Sequence, residues 1–449
     1  MTHHLILGAG PAGVIAAETI RKQAPNDRIT IVGDEREPSY SRMAIPYLLI
    51  GNIDERGTYL RKSNSHFADL KVDVVQAKVT SVNAAGKTVA LDNGQNMAFD
   101  TLLIATGSHP IRPPIPGIES EGVHTCWTLE DARKIAALAT KGARVLQLGA
   151  GFIGCIIMEA LAARGVQLSV VEMGDRMVPR MMGPTAGGMI RDWCEAKGVQ
   201  VFTGTKVESI SRAGAQGIGG KIMGLLGAAP DKGLQVKLSN GKTVEADLVI
   251  SAAGVRPAIG YLEKSGVTCL LGVLTDEHLQ TNVPGIYAAG DCAEAFDKVS
   301  GKMIVSAIQP NAAEQARIAA MNMVSYARGE AAKAELKGVT QINVLDTLGL
   351  ISTSFGDWQG RPGGEHVELT DVPNNRHLSL QFKDDVLVGC NSVGWTNHVG
   401  VMRGLVEGQV KLGPWKEVLK KDPTQLMEAY LGAAQGQPEW SGANDARRR

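Results

Sequence analysis

No C-x-x-C pair occurs among the cysteines of this chain. The six (Cys126, Cys155, Cys194, Cys269, Cys292, Cys390) are scattered through 449 residues with no metal-ligand spacing. Reduced, buried thiols are therefore expected, with no metal site. A net charge is missing too. The 46 basic residues balance the 46 acidic ones, so no broad field draws the chain to nucleic acid or anionic lipid. The only basic run, the terminal "ARRR", is explained by a solvated tail. Uninterrupted apolar runs stay at roughly ten residues, short of the ~20 that span a bilayer. The first apolar strand opens almost at Met1, leaving no room for a secretory leader, and a cytoplasmic home is expected. Aromatic residues are few, at 4%. Glycine is plentiful, with 53 residues, which suggests repeated tight turns and close approach of backbone to ligand. The length implies two or three domains.

Two stretches show where the glycines are used. The opening "LILGAGPAGVIAAETIRKQ" is an apolar strand, a turn made of Gly8, Gly10, Pro11, Ala12 and Gly13, and an Ala-rich helix. Gly8 permits the turn, Gly10 lets a pyrophosphate approach the backbone, and Gly13 lets the helix pack against the strand. The helix N-terminus then faces the phosphates. A second strand, "RITIVGDE", ends in Asp34 and Glu35, where an acid accepts a hydrogen bond from a ribose hydroxyl, Glu35 being favoured. The arrangement recurs at "RVLQLGAGFIGCIIMEALAARGVQLSVVE". There Gly149, Gly151, Phe152, Ile153 and Gly154 form the turn, and Glu172 ends the next strand. Two such units imply two dinucleotides. A carboxylate at Glu172 suits the free 2′-hydroxyl of NAD and repels a 2′-phosphate, although Arg176 nearby keeps NADP open. Glu159 is expected to support local packing or hydrogen bonding.

Three further stretches complete the pattern. "DTLLIATGSHP" runs into Ala105, Thr106 and Gly107; "DLVISAAGVRP" has the same form and contains Gly254; "TNVPGIYAAGDCAE" ends in Gly290 and Asp291. An acid in that last place either binds ribityl or phosphate-bridging hydroxyls or caps a helix.

Taken together, "GAGPAG", "IATG", "GAGFIG", "AAGVRP" and "GIYAAGD", in this order, resemble the FAD-dependent pyridine nucleotide–disulfide oxidoreductase superfamily over roughly residues 1 to 330. The resemblance implies an α/β fold with two Rossmann-like dinucleotide-binding domains and an α+β C-terminal domain. It implies a discontinuous FAD-binding domain at 1–112 and 246–330, an NAD-binding domain at 113–245, and a C-terminal interface domain at 331–449. Carried over, Gly8, Gly10, Pro11, Ala12, Gly13, Asp34, Glu35, Arg42, Ala105, Thr106, Gly107, Gly290 and Asp291 become FAD residues. Gly149, Gly151, Phe152, Ile153, Gly154, Glu172 and Gly254 become NAD residues. "IQPNAAEQARIAAMNM" looks like the family helix whose N-terminus faces the flavin, with Gln309 and Asn311 either at the ring or as ordinary caps. "INVLDTLGLISTSFG" and "RHLSLQFKDDVLVGCNSVGWTNHVGVMRGLV" read as alternating strands, then a helix. They resemble the interface domain of the branch holding rubredoxin and ferredoxin reductases, NADH oxidases and the flavin portion of assimilatory nitrite reductase. Trp395 and His398 there are assigned to packing or capping.

The dithiol members of the superfamily carry two cysteines on the first flavin-side helix. This chain has none there. In the single-cysteine branch one cysteine lies in a segment similar to "SYSRMAIPYLLIG", and Met43 occupies that position. A thioether forms neither thiolate nor sulfenic acid, so disulfide chemistry is not expected. No catalytic side chain is singled out; Arg42, Met43 and Tyr47 are expected beside the flavin, Tyr40 flanks it, and Arg42 is either an anchor or a surface ion pair. The resemblance implies hydride transfer from NADH to flavin, then electrons to a small iron–sulfur redox protein or a partner subunit. An NADH oxidase making peroxide and an NADH-sensing regulatory flavoprotein are the alternatives. A homodimer is left open. Residues 211–233, "SRAGAQGIGGKIMGLLGAAPDKG", hold seven glycines and read as a loose insertion between strands, or as a loop that docks a partner or touches a membrane surface.

Overall fold

The structure, a computed structural model, describes residues 1–212 and 233–435. Residues 213–232, the body of the glycine-rich insertion, and the basic tail lie outside the described residues. The chain divides into two units, Met1–Ile111 with Trp127–Leu129 and Val255–Val339, and Arg112–Cys126 with Glu130–Gly254 and Thr340–Arg449.

The first unit is built on a five-stranded parallel sheet in the order Ile286–Ala288, Thr101–Ile104, His3–Leu7, Arg28–Gly33, Val72–Gln76. Its central strands read as unbroken apolar runs because both faces are covered. Ile6, Ile29, Ile31 and Leu103 point into a core shared with the helices Pro11–Gln23 and Gln309–Ala327. Leu5, Leu7, Leu102 and Ile104 point the other way, against the antiparallel strands Val79–Asn83, Thr88–Leu91 and Asn96–Ala98. The two helices meet through small side chains, Ala12, Ala16 and Ala17 on one and Ala312, Ala316, Ala319 and Ala320 on the other. Small residues let helix and sheet approach closely, and that closeness fixes where the helix starts point.

The second unit repeats the plan. Its parallel sheet runs Gln200–Phe202, Gln167–Val171, Arg144–Leu148, Leu248–Ser251, Val123–His124. One face of that sheet, with Leu146, Val171 and Val249, buries Val207, Ile210, Leu234, Val236 and Leu238 of a second antiparallel sheet. Val207–Arg212 and Leu234–Leu238, the strands flanking residues 213–232, pair with Arg212 opposite Leu234. The same unit contains a five-stranded antiparallel sheet in the order Ile342–Thr347, Leu350–Gly356, Val386–Val393, Arg376–Lys383, Glu365–Asp371, followed by the helix Val399–Gly408. His398 sits at that helix's N-cap with φ of 64°, and the Arg376 guanidinium lies 5.8 Å from the Trp395 ring centroid. Among the described residues no helix is long and apolar enough to cross a membrane.

Candidate functional site

The two glycine turns are near duplicates. Each starts at a parallel strand whose neighbour sends a carbonyl under the turn. A Cβ on Gly8, which has φ of +115°, would lie 2.1 Å from the Ala105 carbonyl oxygen; one on Gly149, with φ of +99°, would lie 2.5 Å from that of Ala252. A Cβ on the third glycine would strike the first glycine's carbonyl oxygen, at 1.9 Å for Gly13 on Gly8 and 2.5 Å for Gly154 on Gly149. The middle glycines differ in kind. A Cβ on Gly10 or Gly151 would meet nothing within 4 Å. The outer glycines thus serve the fold, and the middle one leaves its backbone open for a ligand. Gly10 and Gly151 are also the N-caps of helices Pro11–Gln23 and Phe152–Ala163, and neither terminus carries a side-chain cap. Phe152 and Ile153, half-buried, open the second helix. An anion there would meet backbone N–H donors and the positive end of the helix. On this observation the residues present fit two dinucleotides.

Around the first turn, Asp34 is exposed while Glu35 is engaged. Its carboxylate accepts from the Tyr40 hydroxyl and, at 2.5 Å, from Arg42 Nη2. Arg42 Nη1 donates to the Tyr40 hydroxyl at 2.8 Å and to the Trp127 carbonyl at 2.7 Å. Met43 and Tyr47, one helical turn apart, are 51% and 56% exposed. Just before them, Ser41 Oγ donates to Gln309 Oε1 at 2.6 Å, which ties this segment to the start of helix Gln309–Ala327. Asn311 Nδ2 donates to Ser306 Oγ at 2.7 Å. The Thr106 hydroxyl donates to the Ala258 carbonyl at 2.8 Å, so the fold uses that hydroxyl, and Gly107 beside it has open space at its Cβ position. Gly290, at φ of +83°, donates its amide to Gln315 Oε1 at 2.7 Å. Asp291 accepts from Ser108 Oγ at 2.9 Å. Burial pushes the Asp291 carboxyl up, while the Ser108 bond and the Arg42 charge pull it down. Arg42 pairs with Glu35, its charge acts on Asp291, and Gln309 is tied to Ser41 just before Arg42, which gathers these residues into one set of contacts within the first unit; Met43 adjoins it only in sequence. Asp34 is outside it.

Around the second turn, the two oxygens of Glu172 accept from the amides of Ala150 and Gly174, each at 2.7 Å. Arg176 is tied elsewhere: Nε donates to the Met182 carbonyl at 2.8 Å and Nη1 pairs with Asp175 at 2.7 Å. Glu159 accepts from the Leu348 amide. Gly254, at φ of +102°, follows the strand Leu248–Ser251.

All six cysteines are unpaired, five buried and Cys269 half-buried. Burial raises every thiol, Cys126 and Cys194 to about 12 and Cys292 to about 11, with Cys155, Cys269 and Cys390 also raised. None is disposed to form a thiolate at neutral pH. Among the described residues no cluster of three or more His, Cys, Asp or Glu side chains is placed to hold a metal.

Sequence reasoning did not single out Trp127, Ser108, Ser41 or Gln315, the partners of the expected residues. Only Trp127 left a trace, as one of six tryptophans.

Residues 2–320 match the family described as "Pyridine nucleotide-disulphide oxidoreductase". Over 424 residues the chain is 30% identical to the NADH-dependent phenylglyoxylate dehydrogenase subunit epsilon of Aromatoleum evansii, covering 94% of this chain and 95% of that one. It is 29% identical to an NADH oxidase of Methanocaldococcus jannaschii, covering 87% of each. Among solved structures it resembles an NAD-dependent persulfide reductase from A. fulgidus, with a TM-score of 0.79 and 26% identity over 92% of this chain and 78% of that one. With two open-centred glycine turns, each on its own parallel sheet, and a family match over most of its length, the chain belongs to the pyridine nucleotide-disulphide oxidoreductases and is an FAD-dependent NAD(P)H oxidoreductase.

Proposed function

We propose that this protein is an NADH:acceptor oxidoreductase that delivers electrons to a small iron–sulfur redox protein or to a partner subunit, without a catalytic disulfide. The observation that carries this reading is the sulfur chemistry. By the resemblance, Met43 occupies the position where the single-cysteine branch has its thiol, and every cysteine is unpaired and raised by burial. FAD, when bound, accepts a hydride equivalent and releases electrons singly, which matches a one-electron acceptor. The printed name of the Aromatoleum relative, a subunit of a dehydrogenase, supports a partner chain.

In this reading residues 1–112 and 246–330 bind FAD, 113–245 bind NAD, and 331–449 form an interface domain. Gly10 leaves room for a pyrophosphate, and the helix that starts at Pro11 supplies N–H donors. Asp291 holds hydroxyls of the FAD chain, and Arg42 with Glu35 anchors its far end or the ring. Gly151 and Glu172 do the corresponding work for NADH, with Glu172 fastened near the turn and able to accept further at its remaining lone pairs. Arg176, engaged by Asp175 and Met182, is not poised for a 2′-phosphate, which favours NADH over NADPH. A cytoplasmic setting accords with six unpaired thiols.

A second reading, an oxidase reducing oxygen to peroxide, rests on the name of the Methanocaldococcus relative. Rapid mixing separates the two. Protein reduced by NADH without air is mixed with rubredoxin, ferredoxin, quinone, a disulfide or oxygen. Fast reoxidation by an iron–sulfur protein and slow reoxidation in air support the proposal. Fast peroxide formation with no added acceptor supports the oxidase.

A further inference from the structure

Trp127 lies in a three-residue segment, Trp127–Leu129, that belongs to the first unit although the residues on either side of it belong to the second. One of its polar groups touches Arg42, expected to anchor the flavin, and another touches Ser108, the partner of the second expected anchor, Asp291. Its carbonyl accepts from Arg42 Nη1 at 2.7 Å. Its indole Nε1–H donates to the Ser108 carbonyl at 3.1 Å, and the Ser108 hydroxyl in turn donates to Asp291 at 2.9 Å. The ring contributes as well. The Arg42 guanidinium lies 5.2 Å from the Trp127 ring centroid and 5.4 Å from that of Tyr40, within the ~6 Å over which a cation is attracted to an aromatic face.

Arginine has a long, rotamer-rich side chain, and a guanidinium that must meet a ligand in one geometry gains from being fixed beforehand. Here Glu35, Tyr40 and Trp127 do the fixing. Asp291 is treated likewise, through Ser108. We infer that Trp127 is a positioning residue for the flavin: its ring and carbonyl hold Arg42 while its indole N–H holds Ser108 under Asp291, so that the two anchors are set as one piece. The inference rests on the assignment of Arg42 and Asp291 to the flavin site.

The test is a double-mutant cycle of Trp127→Ala with Arg42→Lys on the full chain, repeated with Trp127→Phe, which keeps the ring and loses the N–H. The readouts are the FAD dissociation constant, the flavin midpoint potential and the melting temperature of the apo-protein. We expect Trp127→Ala to weaken FAD binding about tenfold, a scale set by one cation–π contact and one hydrogen bond, and to move the potential in the same direction as Arg42→Lys. Trp127→Phe should fall between, and the double variant should lose less than the product of the single losses. Multiplying losses would overturn the inference. So would a Trp127→Ala or Trp127→Phe protein that melts earlier yet keeps its FAD affinity and potential while Arg42→Lys changes both; the Arg42 assignment would then survive. If Arg42→Lys changes neither, the Arg42 assignment fails and the role of Trp127 falls with it. Should Trp127→Ala not fold, the phenylalanine cycle alone decides.

Discussion

The Glu172 carboxylate accepts a 2.7 Å hydrogen bond from the Ala150 amide, so the acid that ends its strand is fastened to the glycine turn 22 residues earlier. A second bond, from the Gly174 amide, holds its other oxygen. This acid therefore has two tasks, shaping the turn and, in the proposed reading, meeting a ribose.

Replacing Glu172 separates the tasks. Glu172→Arg should lower the ratio of kcat/KM for NADH over NADPH by roughly tenfold or more, the scale of a charged hydrogen bond. Glu172→Gln, which keeps an acceptor for one amide, should lose less affinity for NADH and gain nothing with NADPH. A ratio unchanged in both variants removes Glu172 from cofactor selection.

The glycines of the first turn should respond in opposite ways. Gly13→Ala forces a Cβ to within 1.9 Å of the Gly8 carbonyl oxygen. Backbone must move, at a cost on the order of 2–4 kcal/mol in unfolding free energy. Gly10→Ala meets nothing within 4 Å, so the apo-protein should melt within a degree or two of the wild type and bind FAD poorly. Denaturation of apo-protein beside FAD titration distinguishes them; equal loss of stability in both would contradict the division of labour.

Asp291 gives a pH signature. Its carboxyl is raised by burial in the folded state, so the folded apo-protein holds this proton more tightly than the unfolded chain does. Stability relative to Asp291→Asn should be full below the ordinary carboxylate value of about 4 and fall as pH rises through the raised value. Melting of both apo-proteins across that range checks the sign. Asp291→Ala should also leave the purified protein largely free of flavin, and a full yellow complement would contradict its assignment.

Thiol reagents should be nearly without effect on electron transfer. At neutral pH iodoacetamide should react slowly, and at Cys269 first, since it alone is half-buried. NADH-dependent flavin reduction should persist after modification. Activity falling in step with one modified thiol would restore sulfur chemistry to the mechanism.

Local patterns carried most of what could be read without coordinates. Strand, glycine turn, helix and acid lie within some thirty residues, and part of their geometry follows from neighbours in sequence: Gly13 and Gly154 are excluded from bearing a Cβ by the carbonyls of Gly8 and Gly149 in the same turn, whereas Gly8 and Gly149 meet those of the distant Ala105 and Ala252. The strands of the C-terminal sheet around residues 342–356 and 376–393 were visible in their alternation, and the strand Glu365–Asp371, which pairs along one edge, was not singled out. What local pattern could not supply is long-range pairing. The Ser41 contact spans 268 residues to Gln309, that of Arg42 spans 85 to Trp127, and that of Ser108 spans 183 to Asp291. Such contacts arise only when distant strands and helices pack, and no period or spacing marks them. The glycine-rich insertion was plain in composition, and its body lies outside the described residues.

The most direct test of the account is an anaerobic titration of the purified holoprotein with NADH, followed at the flavin's visible absorbance. With no partner sulfur to reduce, one equivalent of NADH should fully bleach one flavin, and a one-electron iron–sulfur acceptor should then restore the colour. Uptake of a second equivalent into a thiol pair, or protein that stays colourless after FAD is supplied, would contradict it.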